Sequence, residues 1–258
     1  REKLNLLLAG QTSATKVEFL KNNLETSWNI EVWEPNEGRS KLNELLPRAD
    51  AVVGGNIIGD WPLVERLQLY QIPFAGYNWI TPADIPVGVT FCNTYEHEIP
   101  IAEYVLLSIL DWEINYSGKT ASFQAKGWDG IGNGEGPTHG EVYGKKLGII
   151  GYGRIGKECA KRASAFGIDT IGVTRSTQPT TKPLSWLGTI QDLHYMLAES
   201  DYILVACPQT EDTFGLIGEP EFKVMKPKAV IINVARGPII QEHALYCALA
   251  EREIGGAI

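Results

Sequence analysis

One segment, Lys146 to Ser176, most strongly limits what this chain can fold into. It has the pattern of a strand, a glycine-rich turn, a helix and a second strand. In a G-x-G-x-x-G turn the first glycine permits a sharp bend, the second lets backbone amides approach a pyrophosphate, and the third lets the helix pack closely on the strand. The helix N-terminus then faces the anion. The predicted phosphate-binding residues are Gly151, Gly153, Arg154, Ile155 and Gly156.

The end of the second predicted strand indicates which dinucleotide binds. An NAD-binding unit usually has an acidic residue here, which accepts hydrogen bonds from the adenosine ribose. This chain has Thr174, Arg175 and Ser176 instead, and an arginine can pair with a 2′-phosphate. Asp169, the nearby acid, begins the strand and therefore lies at the wrong end. The sequence predicts NADP, with NAD as the alternative; Arg175 as an ordinary surface arginine is the competing interpretation.

Composition narrows the range of partners. The chain has 258 residues, of which 44% are hydrophobic and 21% charged, enough for two domains with buried cores. Its net charge of -8 and the absence of a basic run argue against a nucleic-acid partner. No apolar run is long enough to suggest a membrane span.

The cysteines indicate the compartment. Cys92, Cys159, Cys207 and Cys247 are scattered, with no C-x-x-C and no cysteine–histidine pair at zinc spacing. This usage predicts reduced thiols, a cytoplasmic location and no metal site.

Alternating strand and helix patterns predict an α/β fold with two doubly wound parallel-sheet domains, one flavodoxin-like and one Rossmann. We expect residues 1–95 to form a substrate domain and residues 96–258 an NAD(P)-binding domain, joined through a helix at 100–115. Its predicted packing face consists of Ile101, Val105, Ser108, Ile109 and Trp112. In the first domain, Pro62–Leu67 is predicted to be a helix.

Residues 115–145 are rich in glycine, polar and aromatic residues, which predicts an extended arm. Aromatic side chains on such an arm favour a subunit interface, so we expect a homodimer formed by the linking helix and this arm. A long loop folded over its own domain is equally compatible with the sequence.

Several motifs together carry a resemblance: Gly151–Gly156, the run from Cys207 to Ile217, Met225-Lys226-Pro227, and Ile232–Gly237. The chain resembles the D-isomer-specific 2-hydroxyacid dehydrogenases over almost its whole length. The resemblance implies hydride transfer between a nicotinamide dinucleotide and a small 2-keto or 2-hydroxy acid, such as glyoxylate or hydroxypyruvate. It implies that Arg236 binds the substrate carboxylate and carbonyl oxygen.

The same resemblance assigns further residues to the two ligands. Residues that would hold or border the substrate are Gly54, Gly55, Asn56, Gly76 and Asn78; a plain turn is the alternative for the first two. Further cofactor contacts would come from Cys207, Pro208, Thr213, Ala235 and Arg236. The Cys207–Pro208 pair also ends a predicted strand, where dinucleotide ligands lie.

The resemblance also implies an acid–base histidine, and a glutamate that orients it, beyond the segment Gly255–Ile258. Neither residue is in the sequence, so we expect a truncated chain whose missing part completes the first domain. His97, between Glu96 and Glu98, is a weaker substitute, because a solvated charge cluster is the more common meaning of such a run.

Two other functions remain open. Formate and phosphite dehydrogenases share the architecture, although they usually use NAD. A nucleotide-sensing, corepressor-like protein would keep the cofactor site, although it has no need of Arg236.

Overall fold

The computed structural model describes residues 3–55, 57, 59–127, 138–176 and 179–258, and the chain divides into two units between Glu96 and His97. Each unit is built on its own parallel sheet. Among the described residues no helix is both long enough and apolar enough to cross a membrane.

In the described part of the first unit, five parallel strands lie in the order β2-β1-β3-β4-β5. This is the flavodoxin-like order. The strands are β1 (Leu4–Ala9), β2 (Trp28–Trp33), β3 (Ala51–Gly54), β4 (Leu69–Gln71) and β5 (Thr90–Cys92). The helices are α1 (Gln11–Ala14), α2 (Val17–Asn23) and α3 (Gly38–Leu45).

Strand β1 lies inside this sheet, between β2 and β3, and its last four residues are buried. Leu7 packs with Val52 and Tyr70 on one face, and Leu6 and Leu8 pack on the other. A parallel strand covered on both sides reads as a continuous apolar run, which is why β1 is recognisable in the sequence.

The predicted helix at Pro62–Leu67 is wrong. The segment is irregular, with one turn in which Leu67 N donates to Val64 O at 3.1 Å. Arg66 instead pairs with the buried Asp50, and Trp61 Nε1 donates to Asp84 O at 3.0 Å. Six residues form too short a helix to be stable alone, so these tertiary contacts decide the conformation.

In the described part of the second unit, six parallel strands lie in the order β11-β10-β9-β6-β7-β8. Counted from β6, this is the Rossmann order, and the predicted fold class is confirmed. The strands are β6 (Lys146–Ile150), β7 (Asp169–Thr174), β8 (Trp186–Thr189), β9 (Tyr202–Val205), β10 (Val230–Asn233) and β11 (Gly256–Ala257). The helices are α4 (Glu98–Ile114), α5 (Tyr116–Lys126), α6 (Arg154–Ala165), α7 (Leu193–Glu199), α8 (Glu219–Val224) and α9 (Glu242–Ala250).

The predicted linking helix is α4, which packs against α6 within the second unit. Its buried residues are Ala102, Val105, Leu106 and Ile109. The predicted face is therefore correct for Val105 and Ile109, which are buried, and wrong for Trp112, which is exposed. Ala102 shares a buried cluster with the small α6 residues Ala160 and Ala163, which allows the two helices to pack closely.

The predicted extended arm is corrected over Tyr116–Lys126, which is the helix α5. Asn115 adopts a left-handed conformation (φ 54°) that ends α4 and starts α5, and Ser117 N donates to Asp111 Oδ1 at 2.8 Å. None of the residues of α5 is buried, which explains why no apolar pattern revealed the helix. Residues 128–137 of the predicted arm lie outside the described residues.

Candidate active site

The glycine turn after β6 has the geometry that a dinucleotide diphosphate requires. Gly151 has φ +95°, and a Cβ there would lie 2.7 Å from the backbone of Cys207. A Cβ on Gly156 would lie 2.8 Å from Gly151 O and 3.0 Å from Ile149 Cγ2. Both positions are thus closed to side chains because the turn, the helix and the neighbouring loop pack tightly.

Gly153 differs, because a Cβ there would meet nothing within 4 Å. This glycine is exposed and caps the N-terminus of α6, whose first residue is Arg154. Free backbone N–H groups at a helix N-terminus bind anions, and a bare glycine allows close approach. The residues present therefore fit a dinucleotide diphosphate. Ile155 follows, half-buried, in the first turn of α6.

The loop after β9 lies directly against this turn. Cys207 is buried, and burial raises the pKa of its thiol to about 11. The thiol therefore stays neutral and serves as a packing group. Pro208 is exposed, and its carbonyl oxygen accepts a hydrogen bond from Thr213 Oγ1 at 2.7 Å. Thr210 N donates to the same hydroxyl at 2.7 Å, so Thr213 holds the loop together.

At the end of β7, Thr174 is half-buried, whereas Arg175 and Ser176 are exposed. Thr174 Oγ1 donates to Ser176 O at 2.7 Å and closes the short turn that carries the arginine. Asp169 is the first residue of β7, as the sequence analysis placed it, and lies at the opposite end of the strand.

At the end of β10 the chain passes through Ala235 to Arg236, which is exposed. Arg236 Nη1 donates to Ala235 O at 2.8 Å. Asn233, for which no role was predicted, shapes this turn. Its Oδ1 accepts from Ala235 N at 2.9 Å and its Nδ2 donates to Arg236 O at 3.0 Å. An asparagine at a strand end is a signal for such a turn.

The strand registers bring these loops to one edge of the second sheet. Ile150 pairs with Val173 on one side and with Val205 on the other, and Val205 pairs with Asn233. Because the strands are parallel, the glycine turn, the Arg175 turn, the Cys207 loop and Arg236 all follow carboxyl ends. The reversal of strand order, where ligands bind in such sheets, lies between β6 and β9.

Residues 96–98 were interpreted as a solvated charge cluster, and for Glu98 this interpretation is wrong. Its side chain is only 13% exposed, and its Oε1 lies 3.5 Å from Arg154 Nη1. Glu98 is the first residue of α4, and Arg154 is the first residue of α6. The packing of these two helices brings the carboxylate to the glycine turn.

In the first unit, the predicted substrate residues that the structure describes lie at the end of β3 and in the loop after β4. A Cβ on Gly54 would lie 2.2 Å from Ala9 O, and one on Gly55 would lie 2.6 Å from Phe74 Cε2. The backbone contact gives Gly54 a packing reason for being glycine, whereas Gly55 is opposed only by the exposed ring of Phe74. Gly76 is half-buried and Asn78 exposed in the loop between β4 and β5. Asn56 lies outside the described residues.

A family model matches most of the second unit, and one relative aligns over almost the whole chain. The family model described as "D-isomer specific 2-hydroxyacid dehydrogenase, NAD binding domain" matches residues 107–258. A glyoxylate reductase of Pyrococcus furiosus is 30% identical, over 92% of this chain and 73% of its own length. A glyoxylate reductase of Thermococcus gammatolerans is 42% identical, over 45% of this chain. That alignment spans only 35% of the Thermococcus protein.

A solved structure supports the fold over the whole chain. The D-isomer specific 2-hydroxyacid dehydrogenase family protein of Aeromonas salmonicida aligns with a TM-score of 0.83 and 24% identity. The alignment covers 99% of this chain and 80% of that protein. By its matched residues, this chain belongs to the D-isomer-specific 2-hydroxyacid dehydrogenase family.

Proposed function

We propose that the protein is an NADP-dependent D-2-hydroxyacid dehydrogenase that reduces small 2-keto acids such as glyoxylate or hydroxypyruvate. The main support for this proposal comes from the edge of the second sheet at which its strands have their carboxyl ends. There Gly153, with open space where a Cβ would be, precedes a helix and lies beside the turn that contains Arg175. The relatives named glyoxylate reductase support the substrate class.

For the cofactor, Gly151 and Gly156 shape the turn, and the amides of Gly153, Arg154 and Ile155 bind the diphosphate. Arg175 pairs with the 2′-phosphate, while Thr174 and Ser176 form its turn. We place Cys207, Pro208, Thr213 and Ala235 beside the remainder of the dinucleotide. NAD remains the alternative cofactor.

For the substrate, Arg236 supplies a planar pair of donors to the carboxylate and the carbonyl oxygen. Gly54, Gly55, Asn56, Gly76 and Asn78 are proposed to contact or border the same molecule. The reduced dinucleotide would supply the hydride. The reaction also requires a proton donor, a role that we assign to no residue of this sequence.

Cofactor choice is tested by titrating NADPH and NADH separately against this chain and following fluorescence. A 2′-phosphate held by an arginine should give NADPH an affinity about tenfold or more above that of NADH, or about 1.4 kcal/mol. Equal affinity, or a preference for NADH, would remove the role given to Arg175.

The reaction is tested by adding glyoxylate or hydroxypyruvate to the full gene product with NADPH and following absorbance of the reduced cofactor. Turnover supports the proposal. Dinucleotide binding without turnover of any 2-keto acid would instead favour a nucleotide-sensing protein.

We further propose a homodimer formed through α4, α5 and the residues that follow. Apolar side chains of this surface that are exposed in the single chain are Ile99, Tyr104, Leu107, Trp112, Tyr116, Phe123 and Tyr143. An apolar surface of this kind favours association.

We also propose a reducing compartment such as the cytoplasm. All four cysteines are free, and Cys159 and Cys207 are buried in the core.

A further inference from the structure

The ion pair between Glu98 and Arg154 lies where a cofactor anion is proposed to bind. Arg154 begins α6 immediately after the open Gly153, and its side chain is 62% exposed. Glu98 is 13% exposed, with its Oε1 3.5 Å from Arg154 Nη1. Both residues belong to the second unit, so the contact does not depend on how the two units are arranged.

A carboxylate at this place opposes the binding of an anion. A diphosphate at the N-terminus of α6 and the Glu98 carboxylate both attract the one guanidinium of Arg154. If Arg154 turned to the diphosphate, its ion pair with the half-buried Glu98 would be broken. If Arg154 stayed on Glu98, two negative groups would lie close together. Either arrangement costs free energy on binding, and the cost vanishes when Glu98 carries no charge.

We propose that Glu98 is a positioning residue that holds Arg154 and lowers the affinity of the glycine turn for the dinucleotide diphosphate. This inference rests on the proposed dinucleotide site. Weaker binding favours exchange of the spent cofactor, which suits an enzyme that must release it after each turnover.

A purely structural role for Glu98 is the competing explanation, since the pair also joins α4 to α6. The chain offers a matched control on the same two helices. Glu103 Oε1 lies 4.0 Å from Arg162 Nη2, so this second pair also joins α4 to α6. Glu103 lies five residues after Glu98, or about 7.5 Å along α4. Glu103→Gln thus removes one carboxylate from the same helix interface, away from the turn.

The test measures the dissociation constants of three ligands that share the diphosphate: NADPH, NADH and ADP-ribose. The proteins compared are wild type, Glu98→Gln, Glu103→Gln, Arg154→Gln and the Glu98→Gln/Arg154→Gln double variant. Glu98→Gln should bind all three about 2- to 5-fold more tightly, the range that a partly exposed ion pair allows. Glu103→Gln should bind like wild type. In the Arg154→Gln background the effect of Glu98→Gln should shrink, because the competition for the guanidinium is gone.

Thermal unfolding of each variant identifies those that fold. Should Glu98→Gln fail to fold, Glu98→Asp withdraws the carboxylate by one methylene and should also tighten binding. Unchanged or weaker binding of ADP-ribose by a folded variant at position 98, or equal gains in Glu103→Gln, would overturn the inference alone. A folded wild type that binds none of the three probes would overturn the proposed function as well.

Discussion

Gly153 and Gly156 belong to the same glycine motif but differ in what an added methyl group would meet. At Gly156 the methyl would lie 2.8 Å from a backbone oxygen, whereas at Gly153 it would enter open space. We predict that Gly156→Ala lowers the free energy of unfolding by about 1–3 kcal/mol. Gly153→Ala should leave the free energy of unfolding nearly unchanged but weaken NADPH binding by about tenfold or more, because its methyl would occupy space that the diphosphate needs.

Urea unfolding and a fluorescence titration of both variants separate these effects. The matched pair is informative because it exchanges the same two residue types three positions apart. Gly153→Ala with wild-type affinity for NADPH would contradict the placement of the diphosphate at this turn.

Arg175 is the residue on which cofactor choice depends. Replacing it with glutamine removes the charge but leaves the Thr174–Ser176 hydrogen bond that closes the turn. We predict that Arg175→Gln weakens NADPH binding by about 10- to 100-fold, since a charge-assisted hydrogen bond contributes about 1.5–3 kcal/mol. NADH binding should change less than about twofold.

Lys161→Gln is the charge-matched control for this variant. Lys161 is exposed on α6, well after the turn, so the net charge changes equally while the β7 end is untouched. A similar loss of NADPH affinity in both variants would indicate a general effect of charge rather than a 2′-phosphate site.

Among single elements, the most buried strands were predictable, whereas the half-buried strand β8 and the short helix α8 were not. Strands β6, β9 and β10 are nearly all buried and read as apolar runs in the sequence. Strand β8 is an edge strand of four half-buried residues containing Gly188, so it left no apolar run. Helix α8 is six residues long with proline in its first turn and was missed for the same lack of pattern.

Helix α6 contains a buried thiol, Cys159, from which we predict a loss of stability at alkaline pH. Cys159 is fully buried, and burial raises its pKa to about 12 from an ordinary value of 9.0. The neutral thiol is favoured in the folded state, so its contribution to stability is present below about pH 9. It is lost as the pH rises from there towards 12, at up to about 1.4 kcal/mol per pH unit.

We therefore predict that Cys159→Ala unfolds more easily at pH 7, by about 1–2 kcal/mol, yet shows a flatter loss of stability between pH 9 and 11 than wild type. Urea unfolding at each pH measures both effects. Cys247→Ala, which removes a half-buried thiol on α9 and keeps Cys159, should retain the alkaline slope. Equal slopes in wild type and Cys159→Ala would show that this thiol does not titrate as proposed.

For the whole molecule, the sequence predicted residues at strand ends better than contacts between elements. The glycine turn, Arg175, Cys207 and Arg236 were found because each follows a recognisable apolar strand. Glu98 was misinterpreted because its partner lies 56 residues away, and only the packing of α4 on α6 brings them together. A single sequence carries no signal for such a pairing between two helices.

The exposed apolar side chains of α4 and α5 form the proposed dimer interface. Leu107 is 65% exposed and Phe123 is 56% exposed in the single chain, and we propose that a second copy covers both. We predict that the Leu107→Glu/Phe123→Glu double variant sediments as a monomer at micromolar concentrations at which wild type is a dimer, because each buried carboxylate would lack a partner.

Phe19→Glu is the matched control for the assembly variant, since Phe19 lies on α2 of the first unit and is 63% exposed. This variant carries the same kind of change at similar exposure but away from the proposed interface, so it should sediment as wild type does. Far-ultraviolet circular dichroism of all three proteins would confirm that each is folded. A wild type that remains monomeric at high micromolar concentration would contradict the dimer proposal. A double variant that stays dimeric would show that the dimer interface lies on another surface.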